Sequence, residues 1–125
     1  MNYLSIDRPD IMFSTKEACR EMSCPVSSSW NRVHRIACYL KHRPRLVWKY
    51  NWQFQPDTQD VYGDANWAQC KRSRKSTSGG TAMLGSHCLK AWSKTQAVIA
   101  RSSAESELYG LVRASCEQKI FLSGF

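Results

Sequence analysis

The clearest structural signal in the chain is a helix start at Ser102-Ser103-Ala104-Glu105. In a capping box, an N-cap serine and a glutamate three residues later each bond a free backbone N–H at the start of a helix. The spacing therefore predicts a helix from Ser102 to about Leu122. With successive residues 100° apart, one stripe of this helix is expected to face a core. The stripe consists of Ala104, Leu108, Leu111, Val112 and Ser115.

Three strand candidates precede this helix, at about 59–66, 76–85 and 87–94. The turn Gly85-Ser86 is short enough to join the second and third as a hairpin. Successive antiparallel strands with one apolar face need a covering layer. We therefore expect an α/β chain, more strictly α+β, in which three antiparallel strands are covered by the helix.

The first 52 residues predict a helical hairpin. One helix is expected from Asp10 to about Met22, with Pro9 in its first turn. A second helix has Ser27 to Ser29 as candidate N-caps, and it stops at Arg43-Pro44 because a residue before proline is pushed out of the helical region. The predicted apolar faces are Met12, Thr15, Cys19 and Met22 on the first helix, and Trp30, Val33, Ile36, Ala37 and Leu40 on the second. A further strand candidate runs from Leu46 to Tyr50.

Composition bounds the class of protein. The 125 residues suffice for one modest domain or parts of two. They are 42% hydrophobic, with five Trp and five Tyr, which favours a folded chain over a disordered one. The formal net charge of +8 points to a polyanionic partner, with nucleic acid as the first candidate.

The sequence carries no signal for export or for a membrane. No apolar run is long enough for a signal peptide or a transmembrane helix, so we expect an intracellular protein of the cytoplasm or nucleus. The six cysteines are scattered without a Cys-x-x-Cys pair. Zinc sites need paired ligands at short spacing, so these cysteines are interpreted as reduced thiols.

Two acidic residues stand out as candidate ligands. Asp64 comes near the end of the first strand, beside a tight turn, where a carboxylate can be presented to a metal ion. A turn-initiating aspartate is the alternative interpretation. On the helix, Glu105 and Glu107 lie on opposite flanks of the predicted stripe, and geometry does not choose between them. The capping role accounts for Glu105, which leaves Glu107 as either a ligand or a solvated helix charge.

A basic, serine-rich turn follows the first strand. It contains Lys71, Arg72, Arg74 and Lys75, and the hydroxyls of Ser76 and Thr77 come directly after them. Cations and hydroxyls of this kind bind nucleic-acid phosphates. A turn that is merely solvated is the alternative.

Several motifs resemble copia-type LTR retrotransposon Pol polyproteins, and they occur in the same order. Residues 62–68, Tyr-Gly-Asp-Ala-Asn-Trp-Ala, resemble the family's Tyr-Ser-Asp-Ala-Asp-Trp-Ala, and residues 74–79, Arg-Lys-Ser-Thr-Ser-Gly, are identical to a family element. Residues 91–96 and 102–109 are similar to two later elements. Upstream, Arg8-Pro9-Asp10-Ile11 and residues 30–41 are similar to the segment that joins reverse transcriptase to ribonuclease H.

This resemblance implies a fold, a function and roles for individual residues. Residues 1–52 would be the helical connecting segment, and residues 58–125 the N-terminal half of a ribonuclease H-like fold. The family domain cleaves the RNA strand of an RNA/DNA hybrid with two Mg²⁺ ions, for which Mn²⁺ can substitute. By the resemblance, Asp64 corresponds to the first catalytic, metal-binding carboxylate and Glu107 to the second. The remaining Pol polyprotein, including the reverse transcriptase, would be a partner.

The chain also departs from the family pattern. Asn66 stands where the family usually has an acid, and two further family carboxylates correspond to positions beyond Phe125. We therefore expect a fragment that does not cleave hybrids by itself. The alternatives are a non-catalytic, basic nucleic-acid-binding remnant and a chain that no longer folds.

Overall fold

The computed structural model describes the backbone of residues 2–122 and the side chains of residues 2–118. The chain divides into two compact units, Met1–Trp48 and Lys49–Phe125. The first contains helices α1 (Leu4–Asp7), α2 (Pro9–Cys19) and α3 (Ser27–His42). The second contains strands β1 (Gln59–Asn66), β2 (Thr77–Leu84) and β3 (His87–Thr95), followed by α4 (Ser103–Leu122).

In the first unit, α2 and α3 form the predicted hairpin around a small apolar core. Ile11, Ala18 and Ile36 are buried, and Val33 and Leu40 pack against them. On α2, Thr15 is buried as predicted, whereas Ile11 and Ala18 are buried in place of Met12 and Cys19. Met22 lies beyond the end of α2 and is 72% exposed, and on α3 Trp30 is 69% exposed and Ala37 is exposed.

A charged cluster joins the two ends of this hairpin. Arg8 donates hydrogen bonds to both carboxylate oxygens of Asp10, at 2.8 and 3.0 Å, and to the carbonyl oxygens of Arg43 and Pro44. The Tyr39 hydroxyl donates to Asp10 at 2.9 Å. These bonds, the one from Arg8 above all, hold the pKa of Asp10 below its ordinary value of 3.8. The Arg8-Pro9-Asp10 motif thus has a structural role, since it ties the start of α2 to the segment after α3.

The second unit confirms the predicted meander and its class. The three strands are antiparallel in the order β1-β2-β3, and Asp64 pairs with Gly79, which pairs with Ser93. The β2–β3 turn is Gly85-Ser86, and Gly85 has φ +57°, a conformation that glycine adopts without a steric cost. The observed strand bounds lie within a residue or two of the predicted ones.

Helix α4 covers β1 and β2, but with a different face from the predicted one. Leu108 and Leu111 are each 58% exposed, and Val112 is 55% exposed. The buried positions of the helix carry small or polar residues: Ser106, Gly110, Ala114 and Glu117. The stripe prediction was wrong because small side chains let the helix backbone approach the sheet closely, which leaves the large aliphatic residues outside.

The contact between α4 and β1 is made by small residues on both sides. A Cβ on Gly63 would lie 3.2 Å from the Cβ of Ala114, and a Cβ on Gly110 would lie 3.4 Å from that of Ala65. Beneath the helix, Ala82, Trp92 and Ala114 form the buried cluster of this unit, with Val61 packed against it.

The predicted strand at Leu46–Tyr50 is wrong. The segment after α3 forms no strand within the described chain, and Val47 is 72% exposed. Residues 50–53 instead contact the β2–β3 turn through single hydrogen bonds. The amide of Gln53 bonds the Leu84 carbonyl and the Ser86 backbone N–H, and the His87 ring bonds the Asn51 carbonyl. This segment forms no β-ladder with the sheet, because each of these contacts uses a side chain and none pairs two backbone groups.

The packing of α4 predicts opposite effects for two helix substitutions. Ala114→Leu should lower the free energy of unfolding by about 1–3 kcal/mol, because it inserts a large side chain into a close-packed contact. Leu111→Gln should change it by no more than about 0.5 kcal/mol, since the residue is exposed and glutamine is a good helix former. Urea unfolding followed by circular dichroism measures both. A larger loss from Leu111→Gln would instead favour the stripe predicted from the sequence.

Two adjacent glycines of β2 provide a second test. A Cβ on Gly80 would lie 2.3 Å from Cζ2 of Trp92 and 2.4 Å from the Tyr62 carbonyl oxygen, whereas a Cβ on Gly79 would have its nearest neighbour at 3.6 Å. Gly80→Ala should therefore destabilise the unit by about 1–3 kcal/mol. Gly79→Ala, the matched control, should be neutral or slightly stabilising because it reduces the entropy of the unfolded chain. Equal thermal denaturation midpoints for the two variants would contradict the register of β2 and β3.

Candidate functional site

The position of Asp64 is set by the alternation of β1. Val61, Gly63 and Ala65 face α4, as their contacts with the buried cluster and with Gly110 and Ala114 require. Successive strand residues point to opposite faces, so Asp64 projects from the face of the sheet away from α4. It is exposed, and in the order β1-β2-β3 its strand lies at an edge of the sheet.

Glu107 lies in the second turn of α4, between the buried positions Ser106 and Gly110. Its side chain is exposed on a flank of the helix. Within the side chains that the structure describes, neither Glu107 nor Asp64 accepts a hydrogen bond or joins an ion pair. Both carboxylates are therefore open to a ligand from solution.

Glu105 is engaged at the start of α4, where the bond to Ser102 is as predicted for a capping box and the bond of the carboxylate is to the residue before the N-cap. The backbone N–H of Glu105 donates to the Ser102 hydroxyl at 3.1 Å, and the Glu105 carboxylate accepts from the Arg101 backbone N–H at 2.7 Å. The Tyr109 hydroxyl also donates to this carboxylate. Of the two glutamates that the sequence left open, Glu107 is the one without a structural partner among the described side chains.

The basic turn is an ordered loop. The backbone N–H of Arg74 bonds the Cys70 carbonyl at 2.7 Å, and that of Cys70 bonds the Lys75 carbonyl at 3.2 Å. Arg74 has φ +56°, an uncommon conformation for a residue with a side chain. Lys71, Arg72 and Arg74 are exposed and Lys75 is half-buried, so the loop presents several positive charges on one short segment.

Two residues of the predicted phosphate-binding site, Ser76 and Thr77, are buried. Ser76 is fully buried, and its hydroxyl accepts a hydrogen bond from the Ala68 backbone N–H at 3.1 Å. Thr77 is 5% exposed at the start of β2. Neither hydroxyl lies on the surface of the loop, because the chain turns inward to begin the strand. Ser76 and Thr77 therefore belong to the interior of the unit, and the phosphate-binding proposal is limited to the cations.

Gln96 is a structural residue whose role the sequence did not reveal. It is 8% exposed, and its side-chain amide donates to the Ser78 hydroxyl at 2.9 Å and to the Ser106 carbonyl at 2.8 Å. Its backbone N–H bonds the Ser76 carbonyl. Gln96 thereby fastens the first turns of α4 to β2. A polar residue directly after a strand was the only available signal, and it does not identify a partner.

Glu117 is a buried carboxylate with two cationic partners. Lys90 donates to it at 2.5 Å and Arg113 at 3.1 Å, and these contacts join β3 to α4. The hydrogen bond from Lys90 is the main reason that the pKa of Glu117 lies below its ordinary value of 4.5. Both of its oxygens are occupied, so Glu117 serves the packing of the helix and is not free to bind a metal ion.

The described residues do not fit a two-ion centre. They contain no group of three or more His, Cys, Asp or Glu side chains that could hold a metal ion. Two divalent cations held close together require several converging carboxylates to offset their repulsion. Asp64 and Glu107 are exposed oxygen donors of the type that Mg²⁺ prefers, but the pair is too small a set for two ions.

The six cysteines are free thiols in the described structure, and none of its helices is long and apolar enough to cross a membrane. Cys70 has a local role, since its sulfur accepts a hydrogen bond from the Ser73 backbone N–H within the basic turn.

Comparison with known proteins finds relatives along nearly the whole chain. The retrovirus-related Pol polyprotein from transposon RE2 of Arabidopsis thaliana is 30% identical over 120 residues, which is 94% of this chain and 8% of the polyprotein. The uncharacterized mitochondrial protein AtMg00810 of the same plant is 27% identical over 117 residues. That match spans 94% of this chain and 48% of the mitochondrial protein.

A third relative is similar in length. Secreted RxLR effector protein 161 of Plasmopara viticola is 31% identical over 119 residues, which is 94% of this chain and 82% of that protein. No family model and no solved structure matches the chain. The chain belongs to the same family as this relative of similar length, and along nearly its whole length it is also similar to a segment of retrotransposon Pol polyproteins.

Proposed function

We propose that this chain corresponds to the ribonuclease H segment of a Pol polyprotein, and that it binds an RNA/DNA hybrid but does not cleave it by itself. The observation that carries the proposal is the basic turn, a hydrogen-bonded loop with three exposed cations and the half-buried Lys75, which lies between β2 and the strand that bears Asp64. The similarity to Pol polyproteins supports the assignment to this kind of protein.

The charge of the loop suits the phosphate backbone of a duplex. Contacts between lysine or arginine and phosphates supply affinity without reading sequence, and they release counterions. Hybrid duplexes approach the A-form, whose accessible features are shape, phosphates and 2′-hydroxyls. A site built mainly from cations on a fixed loop therefore favours recognition of the duplex backbone over recognition of bases.

Asp64 and Glu107 are proposed as the two carboxylates that this chain contributes to catalysis. Their exposure and lack of described partners leave both free for this role, and the resemblance of their motifs to Pol polyprotein motifs selects them over Asp60, which is also exposed. Since the described residues provide too few ligands for two ions, the other oxygen ligands have to come from another segment of the polyprotein. Mg²⁺, or Mn²⁺ in its place, is the proposed cofactor of that assembled domain.

A second candidate function is a non-catalytic nucleic-acid-binding module. The small carboxylate set of the described residues favours it. It differs from the first proposal in one consequence: no added segment of a Pol polyprotein would restore cleavage.

Hybrid binding should depend on the basic turn and on salt. Replacing Lys71, Arg72, Arg74 and Lys75 together with glutamine should remove up to four ion pairs with phosphates. The slope of log affinity against log salt concentration should then fall by about 0.7–0.9 for each phosphate that is no longer neutralised. Fluorescence anisotropy with a labelled hybrid, measured over a series of salt concentrations, gives this slope.

Lys49→Gln is the matched control for the single substitution Arg72→Gln, and both are measured in the same way as the fourfold variant. Lys49 is also an exposed cation of the second unit, but it lies outside the turn. Its loss should leave the slope within about 0.2 of the unaltered chain, since one distant charge releases few counterions. If the control lowers affinity as much as Arg72→Gln does, binding follows net charge and the turn is not a site.

Cleavage of the hybrid should require more than this chain. With Mg²⁺ or Mn²⁺ the chain alone should produce no cleavage, because two carboxylates cannot hold two ions. Adding the segment of a related Pol polyprotein that carries the other carboxylates should restore cleavage. In that mixture, Asp64→Asn and Glu107→Gln should each abolish it, and Glu105→Gln should be mild, since glutamine also serves in a capping box.

Gel analysis of the labelled RNA strand distinguishes the outcomes. Robust cleavage by the chain alone, lost in Asp64→Asn, would show that the ligand count is wrong. Strong loss from Glu105→Gln without loss from Glu107→Gln would assign the second carboxylate to the other flank of α4. Hybrid binding without cleavage in any mixture would favour the non-catalytic module.

A further inference from the structure

Two exposed aromatic rings are in contact with each other on the segment that precedes β1. Trp52 is 80% exposed and Phe54 is 83% exposed, and their ring centroids are 4.8 Å apart at an interplanar angle of 68°. In this edge-to-face arrangement the contact covers one face of one ring at most, so the other faces are open to solvent. Trp52 and Phe54 together form an aromatic platform.

The platform is held in place by its neighbours in sequence. Gln53 lies between the two rings, and its amide donates to the Leu84 carbonyl at 2.8 Å and accepts from the Ser86 backbone N–H at 2.9 Å. The Asn51 carbonyl accepts a hydrogen bond from the His87 ring at 2.7 Å. Because these bonds fasten the segment to the β2–β3 turn, the rings have little conformational freedom to lose when a ligand covers them.

The charge around the platform favours an anionic partner. Lys49 is exposed, three residues before Trp52, and it forms no hydrogen bond or ion pair among the described side chains. In the sequence, residues 22–56 contain six lysines or arginines and no aspartate or glutamate. A platform of this kind suits a ligand that combines flat apolar faces with negative charge.

Unpaired nucleotides have both of these properties. Each carries a flat base that stacks on an aromatic ring and a phosphate that pairs with a cation, and the stacking tolerates any base. In a duplex, the faces of the bases are covered by their neighbours and only the base edges and the backbone are accessible. A purely apolar protein segment would cover the rings but would supply no charge for Lys49.

We propose that the aromatic platform binds an unpaired strand of nucleic acid. A base lies against the open face of each ring, and a neighbouring phosphate pairs with Lys49. A blunt-ended hybrid has no unpaired base, so it leaves both the platform and Lys49 unused. This binding does not depend on the proposed function, because it involves neither Asp64 nor the basic turn.

The unaltered chain provides the first test, by fluorescence anisotropy with labelled strands of about twelve nucleotides. A thymidine strand should bind at least about tenfold more tightly than a strand of the same length without bases, which keeps every phosphate. Equal affinity for the two would show that binding follows phosphate charge alone and would overturn the proposal. A uridine strand of the same length shows whether RNA or DNA is preferred, and failure of both strands to bind below about 1 mM also overturns the proposal.

Trp52→Ala is the decisive variant, and Trp30→Ala is its matched control. Trp30 is 69% exposed and belongs to the first unit, so the two substitutions each remove an exposed ring. Trp52→Ala should weaken strand binding by at least about fivefold, the effect of one lost stacking contact, whereas Trp30→Ala should change it by less than about twofold. Equal weakening by both would contradict a site at Trp52. Circular dichroism checks that each variant is folded.

Two other substitutions of Trp52 separate stacking from simple apolar contact. Trp52→Phe keeps a flat ring and should retain binding within about threefold, whereas Trp52→Leu lacks a ring and should bind as weakly as Trp52→Ala. Undiminished binding by the leucine variant would overturn the stacking. Vesicles of anionic phospholipid represent another class of partner. If Trp52 is needed for binding to vesicles and the strands do not bind, the platform is a lipid-binding surface and the proposal is wrong.

Combining Trp52→Ala with the glutamine variant of the basic turn tests whether the two sites are separate. The factor lost on removing the ring should be the same in both backgrounds, because independent sites add in free energy. Disappearance of that factor would contradict a separate platform. Strand binding that depends on Trp52, without any binding of blunt hybrids, would reject the proposed function and leave this inference intact.

Discussion

The second unit depends on the close approach of α4 to β1. Gly63 and Ala65 on the strand meet Gly110 and Ala114 on the helix, and a Cβ added to either glycine would lie only 3.2 or 3.4 Å from an alanine Cβ. Dispersion forces act only at short range, so a contact between small residues brings many backbone atoms into van der Waals distance. This approach determines the rotation of α4, and the rotation decides which side chains are buried and which remain in solvent.

Three polar interactions hold the helix in that rotation. Ser102 and Glu105 cap its start, Gln96 bonds the Ser106 carbonyl, and Lys90 pairs with the buried Glu117 three turns further along. The first interaction is local, whereas the other two join α4 to β3 and to the residue directly after it. Because buried polar groups are costly when unpaired, these partners allow few other rotations of the helix. Two carboxylates that are unpaired among the described side chains, Asp64 and Glu107, are outside this network and open to solvent.

Local signals in the sequence predicted most of the secondary structure. The capping box, the short turn at Gly85-Ser86 and the proline stop after α3 each depend on chemistry within a few residues, and each was confirmed. Predictions that needed a partner elsewhere in the chain were less successful. The strand at Leu46–Tyr50 has suitable residues but no ladder in the described chain, and Ser76 follows a basic loop yet bonds inward to Ala68. Residue type limits the interactions that a side chain can make, and its neighbours in the fold determine which of these interactions it makes.

The sequence by itself determined the order of elements, the hairpin, the capped helix and the residues that resemble Pol polyprotein motifs, because these follow from local propensity and spacing. Only the tertiary structure decided the buried face of α4, the different uses of Glu105, Glu107 and Glu117, and the pairing of Gln96. Hydrophobic periodicity favoured a stripe of leucine and valine on α4, whereas the fold buries glycine, alanine and serine there. The physical reason is that burial depends on the shape of the opposing surface: a strand carrying Gly63 and Ala65 accepts a close helix with small side chains.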